Sequence, residues 1–198
     1  MQNNMDSALV KQADTIYPVL SLIKNRWSAR SFSDLEISEE TLNTILEAAS
    51  WAPSAMNEQP WRYIVALRGH EEGFTKLLSF LNPANASWAK SAGALIFAFT
   101  RINYSATQKE NVNAFHDAGL ANQNLLLQAH SMGVYSHIME GFDKIQISKS
   151  FGLTEDYKPV CMIALGYLGD ADNLAEPFKT RELTPRKRKN NSEYIEYL

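Results

Sequence analysis

Three short stretches of this 198-residue chain carry side chains whose types and spacing suit the binding of a phosphorylated heterocycle. Arg26-Trp27-Ser28-Ala29-Arg30-Ser31-Phe32 sets two guanidinium groups four residues apart with hydroxyls beside them. Lys179-Thr180-Arg181, near the C-terminus, adds two further cations. Guanidinium groups grip phosphate oxygens in pairs, an ammonium adds a point charge and Ser a neutral donor, so the set suits a phosphate monoester. Between them, Pro53-Ser54-Ala55-Met56-Asn57-Glu58-Gln59-Pro60-Trp61 offers Asn57 and Gln59, whose amides can donate and accept along a ring edge. A phosphate clamp with an amide-rich loop points to a nucleotide-like cofactor held at both ends.

Each feature also has a plainer reading. Arg26 and Arg30 by themselves are solvated surface charges, and residues 53–61 are a turn stiffened by two prolines. Asn85 reads equally as a loop residue capping a turn. Residues 139–141 pass as a strand-to-turn segment, and Lys179 and Arg181 as tail charges. The latter two, if extended, would share one side of the chain through their i, i+2 spacing. The basic run 186–189 reads as a solvated tail in a chain of net charge −3.

The elements that must position these residues are partly legible. Pro18 opens a helix with Val19, Leu22 and Ile23 on one face, which delivers Arg26. Ser38 caps a second helix, with Glu39 and Glu40 in its first turn and Ile37 and Leu42 stapled around the cap. Leu42, Ile45, Leu46 and Ala49 give that helix a core-facing stripe. Residues 62–67 alternate as a strand, 71–81 read as a helix, and the apolar run 94–99 reads as a strand buried on both faces. Residues 112–132 form a long helix, apolar on most sides and stopped at Gly133, which belongs at the centre or at a subunit interface. Asp143 caps a short helix ending at Gly152, residues 160–167 are a strand, and the chain from Leu168 is extended. No repeat, linker or boundary is visible, so residues 1–198 are expected to form one domain, with 1–15 a mobile arm or short helix and 182–198 a charged tail.

Composition narrows the class. Hydrophobic residues make up 45% and charged residues 21% of the chain, as in ordinary globular proteins. The small net charge gives no pull toward nucleic acid or an anionic membrane. No apolar run approaches the roughly twenty residues of a membrane span, and the N-terminus has no signal-peptide pattern. Cys161 is the only cysteine, which excludes an internal disulfide and fits a cytoplasmic protein. His70, His116, His130 and His137 show no metal-ligand spacing, and no metal is expected. Asp117, His116 and Ser136 make no persuasive nucleophile triad.

Taken together in order and spacing, the motifs resemble the FMN-dependent nitroreductase family from about Leu20 to Arg181. The likeness is carried by Arg26-x-Ser28-x-Arg30-x-Phe32, by Ala49-Ser50-Trp51-Ala52 and the 53–61 segment, and by Asp117-Ala118-Gly119 with Asn122. It continues in Met139-Glu140-Gly141-Phe142-Asp143, Ala164-Leu165-Gly166-Tyr167 and Lys179-Thr180-Arg181. The resemblance implies an α+β fold, a central, mainly antiparallel sheet of about four strands flanked by helices, in an obligate homodimer. It implies FMN as cofactor and NAD(P)H as reductant. Arg26, Ser28 and Arg30 would bind the phosphate, ribityl chain and ring N1/O2 side, with Trp27 touching the cofactor through its backbone. Ser54, Ala55, Asn57 and Gln59 would reach the flavin of the other subunit. Asn85 would meet the ring edge, though no Lys stands beside it where relatives often have one. Met139, Glu140 and Gly141 would line the ring at N5, and Lys179 and Arg181 would complete the phosphate site.

The chemistry then belongs to the cofactor, no side chain acts as acid or base, and Arg30 contributes electrostatically. The implied reaction is hydride transfer from NAD(P)H to a nitroaromatic, quinone or enone by a ping-pong mechanism. Residues 101–111, with Tyr104, would form the lid, and Trp88, Tyr104 and Met139 would neighbour the acceptor. The alternatives are a flavin-storing or flavin-sensing module, and a family branch with dehalogenase, dehydrogenase or flavin-cleaving chemistry.

Overall fold

The computed structural model describes residues 7–198. Strands β1 (Trp61–Leu67), β2 (Ala94–Arg101), β3 (Val134–Met139) and β4 (Tyr157–Tyr167) form one antiparallel sheet in the order β1-β2-β4-β3. Residues 7–10 are helical, and after them come α1 (Ser21–Asn25), α2 (Glu39–Ser50), α3 (Glu71–Ser79), α4 (Pro83–Ala89), α5 (Ala114–Ser131), α6 (Lys144–Ser150) and α7 (Phe178–Leu183). The expected α+β architecture is therefore present.

The central strand shows why its run is apolar throughout. Successive side chains of a strand face opposite ways. On β2, Leu95, Phe97 and Phe99 enter a core with Trp27, Phe32, Phe74 and Leu77 of α3, and Trp88 of α4. Ala94, Ile96 and Ala98 enter a second core with Ile45 and Ala49 of α2 and Ala118, Ala121 and Leu125 of α5. A strand covered by helices on both faces has no polar side.

Local chemistry sets the helix ends. Ser38 Oγ accepts the Thr41 N–H at 3.1 Å, and Asp143 Oδ1 accepts the N–H groups of Ile145 and Gln146, as the sequence indicates. Helix α5 stops at Gly133, whose φ of +74° is unfavourable for any residue with a Cβ. Helix α4 has no counterpart in the sequence reading, although Asn82 is a sound cap: its side chain accepts the Asn85 N–H at 2.8 Å, and Pro83 opens the first turn.

Three expectations need correction. The helix expected from Pro18 begins at Ser21. Of the proposed N-terminal arm, residues 1–6 lie outside the described residues. The rest is docked, with residues 7–10 helical as the short-helix alternative has it: Ser7 is fully buried, Lys11 is 8% exposed, and Lys11 Nζ donates to the carbonyls of Arg181 and Thr184. Nor is the chain beyond Leu168 extended, because residues 178–183 are helical.

Candidate cofactor site

The residues singled out above fall at opposite edges of the sheet. Ser28 pairs with Ser136 of β3 through an isolated parallel bridge, so the 26–32 segment continues the sheet past its β3 edge. The 53–60 loop instead leads into β1, the other edge. With neighbouring strands about 4.8 Å apart, four spacings separate the two by about 19 Å.

At the β3 edge the chain gathers cations. Arg26, Arg30, Lys11, Arg181, Arg186 and Arg188 lie within electrostatic reach of one another or of the carboxylate of Glu182. Burial, and then Arg188, push the Arg26 guanidinium below its ordinary pKa. Arg26 has no carboxylate partner among the described residues. Arg30 faces Glu182 at 3.9 Å, beyond hydrogen-bond reach, and Arg181 packs over the Phe178 ring at 5.8 Å. A cluster of half-buried guanidinium groups with one carboxylate is unfavourable unless an anion completes it.

Orphaned polar atoms mark the same corner. Trp27 Nε1, Trp88 Nε1, His130 Nδ1, Ser136 Oγ, Glu182 Oε2 and Arg186 Nε are buried with no hydrogen-bond partner. Buried polar groups are ordinarily satisfied, and their concentration here fits a site built for a polar ligand. His137 links the parts: its Nδ1–H donates to the Ala29 carbonyl at 3.0 Å and its ring lies 4.6 Å from that of Trp88. Burial, aided by Arg30, lowers the His137 pKa to about 4, so the imidazole is neutral and Nε2 is an acceptor.

The geometry redraws several of the expected roles. Lys179 and Arg181 do not share a side, because two positions on a helix stand about 200° apart. Lys179 pairs with Asp172 at 3.0 Å, while the Arg181 carbonyl receives Lys11. Trp27 is a core residue, 2% exposed, packed edge-on against Tyr135 with Lys11 over its ring. Trp88 and Met139, 3% and 2% exposed, are taken up by the core, so their side chains offer no free face to an acceptor. The run 186–189 is not wholly solvated: Arg186 is half-buried and donates to the carbonyls of Arg26 and Lys24.

Gly141 and Asn85, far apart in sequence, meet. Asn85 sits in the first turn of α4, not in a loop, and its Nδ2 donates to the Gly141 carbonyl at 3.2 Å. A Cβ on Gly141 would lie 2.1 Å from Asn82 Nδ2 and 2.8 Å from Asn85 Nδ2, so this chain's own amides already exclude a side chain there. Glu140 is exposed and pairs with Lys144 at 2.9 Å.

The 53–60 loop is held in an unusual conformation. Met56, Asn57 and Gln59 have φ of 55°, 55° and 50°, left-handed values that cost non-glycine residues of order 1–3 kcal/mol each. Asp117, 3% exposed, accepts the Ala55 N–H at 2.9 Å, and Ser54 Oγ accepts the Gln59 N–H at 3.0 Å. Glu58 accepts the Ser105 N–H at 2.7 Å, which ties the 101–111 excursion, exposed over 105–110, to the loop. Met56 is 89% exposed, and Asn57 and Gln59 also face outward. Strained backbone that presents amides to the outside is a feature of binding loops.

The sequence reading missed Glu182, Lys11 and His137, and gave Asp117 no role. No local pattern could have found them, because their partners lie 152, 170, 108 and 62 residues away.

Comparison with known proteins decides the family: the model of the nitroreductase family matches residues 23–84 and 74–167. The chain belongs to the nitroreductase family. A Methanothermobacter thermautotrophicus protein, named by inference NADH dehydrogenase/NAD(P)H nitroreductase, is 33% identical over 155 residues, 75% of this chain and 76% of its own. The Bacillus subtilis protein YdgI, named by inference an NAD(P)H nitroreductase, is 28% identical, covering 76% and 88% of the two chains. A crystal structure described as an oxidoreductase containing FMN superposes with a TM-score of 0.87 at 34% identity, covering 92% of each chain. A nitroreductase-like protein of Exiguobacterium sibiricum in complex with FMN shares the fold, at a TM-score of 0.75 and 22% identity over 93% and 99% of the chains.

Proposed function

We propose that this nitroreductase-family protein binds FMN and transfers hydride from NAD(P)H to a small electron-poor acceptor, a nitroaromatic, quinone or enone, by a ping-pong mechanism. The observation that carries the reading is the cation-rich corner at the β3 edge, where Arg26 has no carboxylate partner among the described residues. The residues fit the cofactor. Arg26, Ser28 and Arg181 would hold its phosphate and ribityl chain, with Lys179 released from Asp172 to join them, and Arg30 would stand at the N1/O2 edge. Asn85 and the 139–141 backbone would approach the ring edge from the β3 side.

FMN, when bound, supplies the centre that accepts and returns the hydride. This chain supplies binding, orientation and charge. Arg30 places a fixed positive charge where negative charge develops on the ring, which stabilises the transition state without reorganisation. Buried Trp88, Phe32 and Met139 exclude water behind the site.

The two edges of the sheet support a homodimer in which Ser54, Ala55, Asn57 and Gln59 serve the clamp of a second copy. About 19 Å of sheet keeps them from their own clamp. Trp51, 79% exposed, Leu22, 41%, and Leu127 share a mixed hollow on the α2–α5 face with Asn124, Gln128 and Ser131, and the exposed Trp51 and Leu22 are suited to cover by another chain. The reading is of one cofactor unit per chain in a reducing cytoplasm, where buried Cys161 stays a thiol.

Anaerobic stopped-flow tests the activity. NADH or NADPH should bleach the bound flavin, and a nitroarene or quinone mixed afterwards should restore its colour. Bound flavin that neither nicotinamide bleaches would favour a sensing module instead.

A further inference from the structure

Helix α7 brings one carboxylate into a corner otherwise made of cations. Glu182 is completely buried. Its Oε1 accepts the backbone N–H groups of Arg30 at 2.9 Å and Ser31 at 3.0 Å. The carboxylate is thus fixed to backbone rather than to a guanidinium. Arg30 Nη1 lies 3.9 Å from Oε2, too far for a hydrogen bond, and Oε2 has no hydrogen-bond partner. A bidentate Arg–carboxylate pair would consume two of the guanidinium donors. Here Arg30, 21% exposed, is attracted but not capped, and its N–H groups stay available to a ligand. Burial raises the Glu182 pKa, against the two N–H bonds and the charges of Arg30 and Lys11, which favour the carboxylate.

We propose that Glu182 is a positioning residue of the cofactor site: its backbone-anchored carboxylate holds Arg30 toward the bound anion without capping it and moderates the positive field at the flavin ring edge. The proposal rests on the FMN reading given above. Its sign is fixed by electrostatics. Arg30 beside the ring favours added negative charge there, and a carboxylate behind Arg30 opposes it. Removing the Glu182 charge therefore makes the bound cofactor easier to reduce.

Glu182→Gln keeps the shape and an oxygen able to accept both N–H bonds while deleting the charge. Glu182→Asp keeps the charge but withdraws it by one methylene. The readouts are the midpoint potential of bound FMN, by dye-equilibrated titration, and thermal unfolding. The midpoint of Glu182→Gln should shift to a more positive potential than wild type, with Glu182→Asp between the two. A purely structural role gives the reverse order, with Glu182→Gln equal to wild type and Glu182→Asp displaced, and that result overturns the proposal. If Glu182→Gln does not fold, Glu182→Asp carries the test: a positive shift with wild-type thermal unfolding supports the proposal, and an unchanged potential, or a shift that comes only with lost thermal stability, overturns it. A wild-type protein that binds no FMN overturns the FMN reading and this proposal with it. Bound FMN with equal potentials in all three proteins overturns this proposal alone.

Discussion

His137 donates its Nδ1–H to Ala29 and lies within the field of Arg30 and Arg26, and burial more than charge holds its pKa near 4. An unfolded histidine titrates near 6.5. Between about pH 6.5 and 4 the unfolded chain therefore binds a proton that the folded chain refuses, and stability falls as pH falls. The loss approaches about 1.4 kcal/mol per pH unit, about 3 kcal/mol across the window. Urea unfolding of wild type and His137→Gln at pH 7 and pH 4.5 isolates this contribution. Wild type should lose more stability on acidification than the variant, whereas parallel losses would show that His137 is not held neutral by the fold. Arg26, Ser28 and Arg30 were legible because their types repeat a recognisable pattern. Glu182 was not, because an acidic residue in a charged tail looks like any other until α7 folds back on the 30–31 backbone.

The 53–60 loop depends on a helix for its shape. Asp117 on α5 accepts the Ala55 N–H, and the left-handed residues Met56, Asn57 and Gln59 follow within four positions. Asp117→Ala leaves that N–H without its acceptor, at a cost of about 1–3 kcal/mol. Hydrogen exchange should quicken selectively at residues 55–59 while β2, covered on both faces, stays protected in proportion to global stability. Unchanged exchange at Ala55 would mean that the loop is held by something else. Among the elements, those with local signals were readable: Ser38 and Asp143 as caps, the α2 stripe, and β2 as an unbroken apolar run. β3 was harder, since Ser136 and His137 interrupt its apolar pattern and its place is set by pairing with β4 and Ser28. Helix α7 has six residues, too few for a periodic signal, and owes its position to buried Glu182 and to Lys11 reaching the carbonyls of Arg181 and of Thr184 just past its end.

At the scale of the whole molecule, the strand order β1-β2-β4-β3 governs the account. It places the 53–60 loop and the Arg26 corner at opposite edges, and the proposed two-chain site follows from that separation. The sequence held the parts and their family resemblance, but the distance between them became visible only once the sheet order was known. Two chains joined obligately should bury more than about 2,000 Å² in total, largely apolar. The exposed Trp51, Leu22 and Phe115 are suited to that surface. The central claim, that the Arg26 corner holds FMN within such a pair, is met most directly by sedimentation velocity followed at the flavin absorbance. Wild type should carry one FMN per chain in a boundary of dimer mass. The Arg26→Ala/Arg181→Ala double variant, losing charge-assisted contacts of roughly 1.5–3 kcal/mol each, should sediment as a dimer without colour. Flavin on a stable monomer, or a wild-type dimer that takes up none, would contradict the account.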